Sequence, residues 1–185
     1  MTFSFSKAIK QVLRPPRYRW WHAFAFGLLA NTISTPGVIG GTRIDSQQRY
    51  KARKQAAFAP PGWVFGPAWA TNNASVLWGN LKLVNMPAST PGRSPLLWLQ
   101  GASWVIFSTF SYAYFVLDSP ILCFIWTFGM YLLTIASINL ALKIDPKIAF
   151  SLASLFLWLS LASLVAGYQM IYNSDPLFKT SALAS

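Results

Sequence analysis

Residues 58–69 read FAPPGWVFGPAW, the most informative stretch of the chain. Two successive prolines stiffen the backbone, and proline is tolerated in the first turn of a helix because its missing N–H has no partner there. Trp63 and Phe65 follow, and we expect them at the boundary between headgroups and hydrocarbon, where aromatic rings are favoured. The stretch therefore predicts a rigid start to a membrane-spanning helix, in a protein with an internal pocket.

The composition supports a membrane protein. Charged residues make up 10% of the chain, against roughly 25% in soluble domains. Glutamate is absent, and the acidic residues are Asp45, Asp118, Asp145 and Asp175. So few charged residues cannot cover the surface of a soluble protein. We therefore expect lipid to cover most of the surface of this protein.

The residue types in the chain do not support a catalytic site or a metal-binding site. Cys123 and His22 are the single cysteine and histidine, so neither an internal disulfide nor a Cys-type or His-type metal site can be assembled. No pair of carboxylates shares a helix face, and no Ser/His/acid set can be built. We predict that the protein is not an enzyme and has neither catalytic nor metal-binding residues.

The net charge of +11 is distributed as in a membrane protein. Positive residues gather in two blocks, 7–19 and 43–54, and each block flanks an apolar run. Basic residues beside a membrane segment are attracted to anionic headgroups by about 1 kcal/mol each. We therefore expect a bilayer with anionic headgroups as the partner, and not nucleic acid.

Apolar runs of nearly the ~20 residues that cross a hydrocarbon core divide the chain. They cover residues 22–41, 61–84, 96–117, 120–142 and 146–172. Asp118 or Ser119 is expected to cap the fourth helix and Asp145 the last. The predicted fold is an all-α membrane protein, a five-transmembrane-helix bundle over residues 20–175 with a C-terminal tail over 176–185.

The N-terminal segment, residues 1–19, is basic. Residues 6–13 place apolar side chains on one face and basic ones on the other, which predicts a short interfacial amphipathic helix. The absence of acids before Asp45 also fits a mitochondrial presequence. We expect a mitochondrial membrane, with a bacterial inner membrane as the alternative, and an N-terminus on the matrix or cytoplasmic side.

Several motifs in order resemble one family. Tyr50 precedes the FAPPGWVFGPAW stretch, Trp104 is followed by Phe107, and a last group has the spacing Asp145, Ala149, Trp158, Ala162, Asn173. Over roughly residues 20–175 the chain resembles the TspO/MBR family of tryptophan-rich sensory and translocator proteins. That family has five transmembrane helices.

The resemblance implies a pocket between the helices, covered by the first loop. Family members bind porphyrins and other hydrophobic ligands, with sterols added in animal forms. By position, the ligand-binding residues are Trp69, Trp104, Trp158, Ala162, Ala166 and Asn73. The lid residues are Tyr50, Phe58, Pro60, Pro61 and Trp63. No cofactor is certain, and the implied ligand is a porphyrin or haem, or a sterol or other lipid.

Polar positions depart from the family pattern. Asn72 and Asn73 stand where a Leu-Tyr pair is expected, and Ser154 and Leu155 where Pro-Tyr is expected. Asparagines expected in the third and fifth helices fall on Gly101 and Ala166. These losses predict a pocket with much of its hydrogen bonding removed.

Three residues have two interpretations each. Asn72 and Asn73 either join helices, at about 0.6–2 kcal/mol, or change the pocket or contact another subunit. His22 either lies at the interface beside two tryptophans or ligates a haem or chlorophyll metal.

Two functions follow from these predictions. The first is binding or transport of a tetrapyrrole or similar hydrophobic ligand. The alternative is an accessory subunit with a structural role in a larger respiratory or photosynthetic membrane complex. Its partners are other subunits of that complex, and a homodimer is also compatible with the sequence.

Overall fold

The structure is a computed structural model that describes residues 17–41 and 44–184. Within these residues, regular structure is helical apart from one isolated β-bridge between Asp175 and Thr180. The helices are α1 (Trp20–Ile33), α2 (Ser46–Ala52), α3 (Phe65–Val84), α4 (Arg93–Ser111), α5 (Pro120–Ile144), α6 (Pro146–Ser151) and α7 (Ala153–Tyr172). The interfacial helix predicted for the N-terminal segment lies outside the described residues.

Capping side chains start two of the long segments as the sequence predicts. Ser119 Oγ accepts a hydrogen bond of 3.1 Å from Leu122 N at the start of α5. Asp145 Oδ1 accepts one of 2.8 Å from Lys147 N at the start of α6. Each cap satisfies a backbone donor that has no partner inside its helix. The cap at Asp145 is confirmed, and at the other turn it is Ser119 that caps.

The first helix is shorter than its apolar run. α1 ends at Ile33 after 14 residues, although the run continues to residue 41. Pro36 lacks the N–H that a continuing helix needs, and Gly37, Gly40 and Gly41 have positive φ values of 85°, 99° and 67°. The prediction of a helix through residue 41 is therefore wrong. α1 alone spans about 21 Å at 1.5 Å per residue.

Other helix boundaries shift for local reasons. Pro61 is extended (φ −60°, ψ 147°), and a 3₁₀ turn, Gly62–Val64, comes between it and α3. Gly92, at φ 81°, permits α4 to start three residues before the predicted run. A π-helical turn, Tyr112–Val116, continues α4 towards α5. Leu152 divides the last predicted segment into α6 and α7.

The helices pack tightly at one end of the bundle, which we call the packed end. Leu83, Leu96 and Ala141 have no accessible surface there, and they cluster with Ile148 and Ala149. Nearby, Gly79 of α3 lies against Ser151, where a Cβ would overlap the serine side chain. Small residues permit this close approach of two helices.

The outer surface is apolar. Trp98 is 78% exposed and Phe150 is 80% exposed. α5 and α7 are long and apolar enough to cross a membrane, with mean hydropathies of 2.0 and 1.5. Apolar side chains of this size on an outer face suit contact with lipid.

Polar side chains inside the bundle join helices to each other. Asn73 Nδ2 donates to Asn31 Oδ1 at 3.1 Å, which links α3 to α1. Gln100 Nε2 donates to Ser137 Oγ at 2.9 Å, which links α4 to α5. Asn73 therefore acts as a helix–helix contact, the first of its two interpretations. Asn72 is buried, and its Nδ2 has no partner among the described residues.

The C-terminal tail is tied to the bundle through Asp175. Its carboxylate accepts hydrogen bonds from Ser119 Oγ at 2.6 Å, Ile121 N at 3.0 Å and Phe178 N at 3.0 Å. Burial raises the pKa of Asp175, but the bonds from Ser119 and the backbone amides outweigh it and hold the pKa below its usual value. The tail therefore packs on the start of α5.

Candidate functional site

A cavity of about 520 Å³ lies between the helices at the end opposite the packed end. The end of α1, the segment from α2 to the start of α3, and the inner faces of α4, α5 and α7 form its walls. Ligand pockets measure about 300–1,000 Å³. The cavity is therefore large enough for a drug-sized or larger hydrophobic molecule.

Aromatic rings line one side of this cavity. The Trp69 ring lies 5.1 Å from that of Phe107 and 6.5 Å from that of Trp158, and Phe65 lies 5.3 Å from Trp158. The Trp158 indole nitrogen is buried and has no hydrogen-bond partner among the described residues. The flat ring faces suit a large conjugated ligand.

Hydrogen-bonding side chains form another part of the wall, which we call the polar end. Tyr114 Oη donates to Gln169 Oε1 at 2.9 Å, and both residues line the cavity. Cys123 packs against Tyr114, and the Thr127 hydroxyl one turn further along α5 contacts the Cys123 thiol. Polar side chains therefore stand at positions other than those of the family pattern, but Tyr114 and Gln169 are 4% and 1% exposed and bond to each other. The loss of hydrogen bonding to a ligand stays a prediction.

Residues 44–64, which we call the lid, cover the cavity. Tyr50 Oη donates to the Pro60 carbonyl at 2.9 Å, and Gln55 Nε2 donates to the Tyr50 carbonyl at 2.6 Å. Burial, and to a smaller extent Cys123, raise the pKa of Tyr50, so the phenol stays protonated and keeps donating. These bonds hold the lid in one conformation.

Hydrogen bonds fasten the lid to Gln169 of α7 and to its C-cap, Asn173. Gln169 Nε2 donates to Gln55 Oε1 at 2.8 Å. Lys54 N donates to Asn173 Oδ1 at 2.8 Å. Gln169 thus bonds to the cavity wall through Tyr114 and to the lid through Gln55.

A pair of arginines fastens the lid to the turn before α5. Arg49 and Arg53 approach the two carboxylate oxygens of Asp118 at 3.0 and 2.6 Å. Asp118 has a φ of 53°, which is uncommon for a residue other than glycine. The Arg53 guanidinium also lies 4.9 Å from the centre of the Tyr114 ring. The lid is therefore held by charge as well as by neutral hydrogen bonds.

Six of the residues predicted for the site line the cavity. They are Trp69, Trp158, Ala162, Ala166, Tyr50 and Pro60. They come from the lid, α3 and α7, which the chain brings together only on folding. The aromatic wall therefore contains two of the three tryptophans expected there.

Trp104 and Asn73 do not line the cavity. Trp104 is 8% exposed and packs edge-on against Phe26 and Phe107, with Phe107 taking its place on the wall. Asn73 is turned to Asn31. Both positions are corrected, because the rotation of α3 and α4 points these side chains at neighbouring helices.

Three of the predicted lid residues lie outside the wall as well. Phe58 and Trp63 are 55% and 71% exposed, and Pro61 is also exposed. Their rings suit lipid or headgroup contact better than contact with a ligand.

No lysine, arginine, histidine, aspartate or glutamate lines the cavity in the part of the chain that the structure describes. Across those residues there is also no group of three His, Cys, Asp or Glu side chains that could hold a metal ion. His22 lies apart from the cavity, stacked on Trp21 at 3.4 Å, and its Nδ1 accepts from Arg19 N. This position favours the interfacial interpretation of His22 over ligation of a haem in the cavity.

The sequence prediction missed Gln169, Tyr114 and Thr127. A signal for Gln169 existed, because it follows Ala162 and Ala166 at helical spacing and so shares their face. Tyr114 and Thr127 carried no comparable signal. They face the cavity because a π-helical turn and the packing of α5 orient them.

Comparison with known families gives one match. The family model described as TspO/MBR family matches residues 21–171. A search of curated proteins finds no match.

Proposed function

We propose that this chain, which belongs to the TspO/MBR family, binds a tetrapyrrole or similar hydrophobic ligand in the cavity between its helices. One observation carries the proposal: an open cavity of about 520 Å³ with Trp69 and Trp158 on its wall. Indole faces stack on flat conjugated rings, and an apolar cavity accommodates their bulk.

The same proposal includes a membrane arrangement. α1, α3, α4, α5 and α7 cross the bilayer, and the turns after α1 complete the first crossing. Family membership and the apolar lengths of α5 and α7 support a membrane protein. The exposed apolar side chains on the outer faces of the bundle then meet lipid.

The lid supplies the route for the ligand. Polar contacts hold residues 44–64 on the cavity at the Asp118 pair, the Gln55–Gln169 bond and the Lys54–Asn173 bonds, and Tyr50 and Arg53 add ring contacts to Phe65 and Tyr114. Opening of the lid requires these contacts to break together. Opening of the lid lets ligand in and out, which allows transport as well as storage.

The accessory-subunit alternative draws no support from the cavity. One of its grounds was a ligand site whose polar groups had been lost; the others were the basic N-terminal segment and the aromatic-rich outer surface. The cavity is open, and Tyr114, Thr127 and Gln169 are among its lining residues.

Titration with protoporphyrin IX tests the proposal. The protein is placed in lipid nanodiscs, and the porphyrin absorption band reports binding without relying on tryptophan emission. We expect saturable binding that weakens about tenfold in Trp158→Ala, since an aromatic contact contributes up to about 1.5 kcal/mol beyond its area.

Trp98→Ala is the matched control. The substitution removes an indole of the same size, and Trp98 is 78% exposed on the outer surface. It should leave the affinity unchanged. Absence of saturable binding, or equal weakening by Trp158→Ala and Trp98→Ala, would contradict the proposal.

A further inference from the structure

Basic side chains from several parts of the chain meet at the packed end, around the end of α3. Arg93 donates to the carbonyl of the last residue of α3 at 3.0 Å, which brings the start of α4 to this point. Lys82 Nζ lies 2.7 Å from a carboxylate oxygen of Asp145, which brings the start of α6 there. Tyr18 N donates to Asn85 Oδ1 at 2.8 Å, which adds the segment before α1. The basic residues gathered by these contacts are Arg17, Arg19, Lys82, Arg93, Lys143 and Lys147.

The two ends of the bundle differ in how far their positive charge is balanced by acids. Among the described residues, Asp145 is the single acid beside these six basic residues. The opposite end, beneath the lid, has five basic residues and three acids, and two of its arginines share one carboxylate. These are Arg49, Lys51, Arg53, Lys54 and Lys179, with Asp45, Asp118 and Asp175. The packed end therefore has the larger excess of positive charge.

Part of this positive charge is exposed and unpaired, and we call these residues the basic surface. They are Arg17, Arg19, Lys143 and Lys147. None of them lies within ion-pair distance of a carboxylate among the described residues. The other two cations are used inside the protein, since Lys82 pairs with Asp145 and Arg93 donates to backbone carbonyls at the end of α3. The basic surface is therefore free to bind an anion from outside the protein.

Exposed tryptophans lie next to the basic surface, on the side of the bilayer centre. Trp98 follows Arg93 by five residues and is 78% exposed. Trp78 precedes Lys82 by four residues, and its ring centre lies 5.4 Å from the Lys82 ammonium. These offsets correspond to about 6–8 Å along a helix. Trp20, in the first turn of α1, is also exposed. Because tryptophan favours the boundary between headgroups and hydrocarbon, these rings place the basic surface at the depth of lipid phosphates.

The charge and the surroundings of the basic surface distinguish between possible occupants. A second copy of the chain docked through the same surface would bring like charges together, which is unfavourable. A water-soluble acidic protein could pair with the cations but would leave the adjoining tryptophans without a partner. An anionic phospholipid supplies a phosphate for the cations and acyl chains for the rings, so it matches both features.

We propose that the basic surface binds phospholipids with anionic headgroups, whose phosphates pair with its arginines and lysines and whose acyl chains lie against the adjoining tryptophans. This binding holds the packed end of the bundle in the leaflet that is richer in anionic lipid. The inference rests on the membrane arrangement proposed above. It does not involve the cavity, so porphyrin binding and lipid binding can each fail without the other.

Spin-labelled lipids test the proposal. The full chain is reconstituted in phosphatidylcholine bilayers with a trace of spin-labelled phosphatidylglycerol or spin-labelled phosphatidylcholine. The motionally restricted fraction of each spectrum gives the relative association constant of the two lipids. We expect phosphatidylglycerol to be preferred at least about fivefold, because one basic residue beside a membrane contributes about that factor. The preference should fall at high salt, since exposed charges are screened.

Two double variants with the same loss of charge locate the site. Lys143→Gln/Lys147→Gln removes half of the basic surface and should lower the preference at least about twofold. Lys51→Gln/Lys54→Gln is the matched control beneath the lid, because these lysines are also exposed and unpaired with a carboxylate. It should lower the preference by less than about 1.5-fold, because the acids at that end offset its positive charge.

Arg17→Gln/Arg19→Gln removes the other half of the basic surface from a different segment and should give a loss similar to that of the packed-end lysines. All of these side chains are exposed, so the unfolding temperature should not change. Equal losses in the two lysine variants would overturn the proposal, because the preference would then follow net charge alone. Absence of any preference in the unmodified chain would also overturn it and would favour an acidic protein as the occupant.

Discussion

The two ends of the bundle are built from similar apolar sequence and pack in opposite ways. At the packed end, Leu83, Leu96 and Ala141 have no accessible surface. At the opposite end, which lies beneath the lid and which we call the lid end, a cavity of about 520 Å³ remains between the same long helices. Both ends have an apolar interior, so hydrophobicity does not account for the difference.

Side-chain size and shape account for it. At the packed end, Gly79 lies directly against Ser151, and the two helices approach closely. At the lid end, the rings of Phe65, Trp69 and Trp158 meet edge-on. Large rigid rings that contact each other in this way hold helices apart, and the space between them cannot be filled by small movements. Substitutions at the packed end therefore test how tightly its helices pack, and substitutions at the lid end test whether the cavity is empty.

Removal of one leucine side chain at each end should give the largest contrast. Leu83→Ala leaves a hole in a packed cluster and should lower the free energy of unfolding by about 2–5 kcal/mol. Leu161→Ala removes a side chain that already borders the cavity, so it loses fewer contacts and should cost less than half as much. Denaturant unfolding of both variants in detergent measures the difference. Equal losses would show that the cavity is filled or collapsed in the folded protein.

Adding one methyl group tests the close helix approach. Gly79→Ala places a Cβ against Ser151 and should destabilise the protein by about 1–3 kcal/mol through overpacking. Gly101→Ala is the matched control on α4, because no atom lies within 4 Å of its added Cβ. It should be neutral or stabilising by up to about 1 kcal/mol. A tolerated Gly79→Ala in the same unfolding assay would argue against close packing at this end.

Loss of one arginine on the lid should have the smallest effect, confined to that end. The Arg53 side chain is 8% exposed and the Arg49 side chain 42%, although both pair with Asp118. Arg53→Met should therefore loosen the lid by about 1.5 kcal/mol and Arg49→Met by less than about 1 kcal/mol. Hydrogen exchange of residues 44–64 measures the change. Equal exchange rates in the two variants, or faster exchange at the packed end, would contradict this ranking.

Much of the fold could be predicted from local signals. The Ser119 and Asp145 caps follow from residue types at helix starts. The end of α1 was missed although Pro36 marked it, because the apolar run continues through the glycines to residue 41. The length of an apolar run reports how much chain avoids water, and it does not report where the backbone stops being helical.

The candidate site was predictable where family position fixes it, as for Trp69, Trp158 and Ala166 on the wall. Trp104 was misplaced, because α4 presents Phe107 and not Trp104 to the cavity. Helix rotation depends on how neighbouring side chains interlock, and sequence spacing within one helix does not fix it.

The sequence by itself determined the family, the helical composition and the apolar surface that suits a membrane. These properties depend on residue type and local order, which can be read along the chain. The tertiary structure alone decided that the cavity stays open, that no charged side chain among the described residues lines it, and that Tyr114 meets Gln169. Those two residues are 55 positions apart, and only the packing of α4, α5 and α7 brings them together.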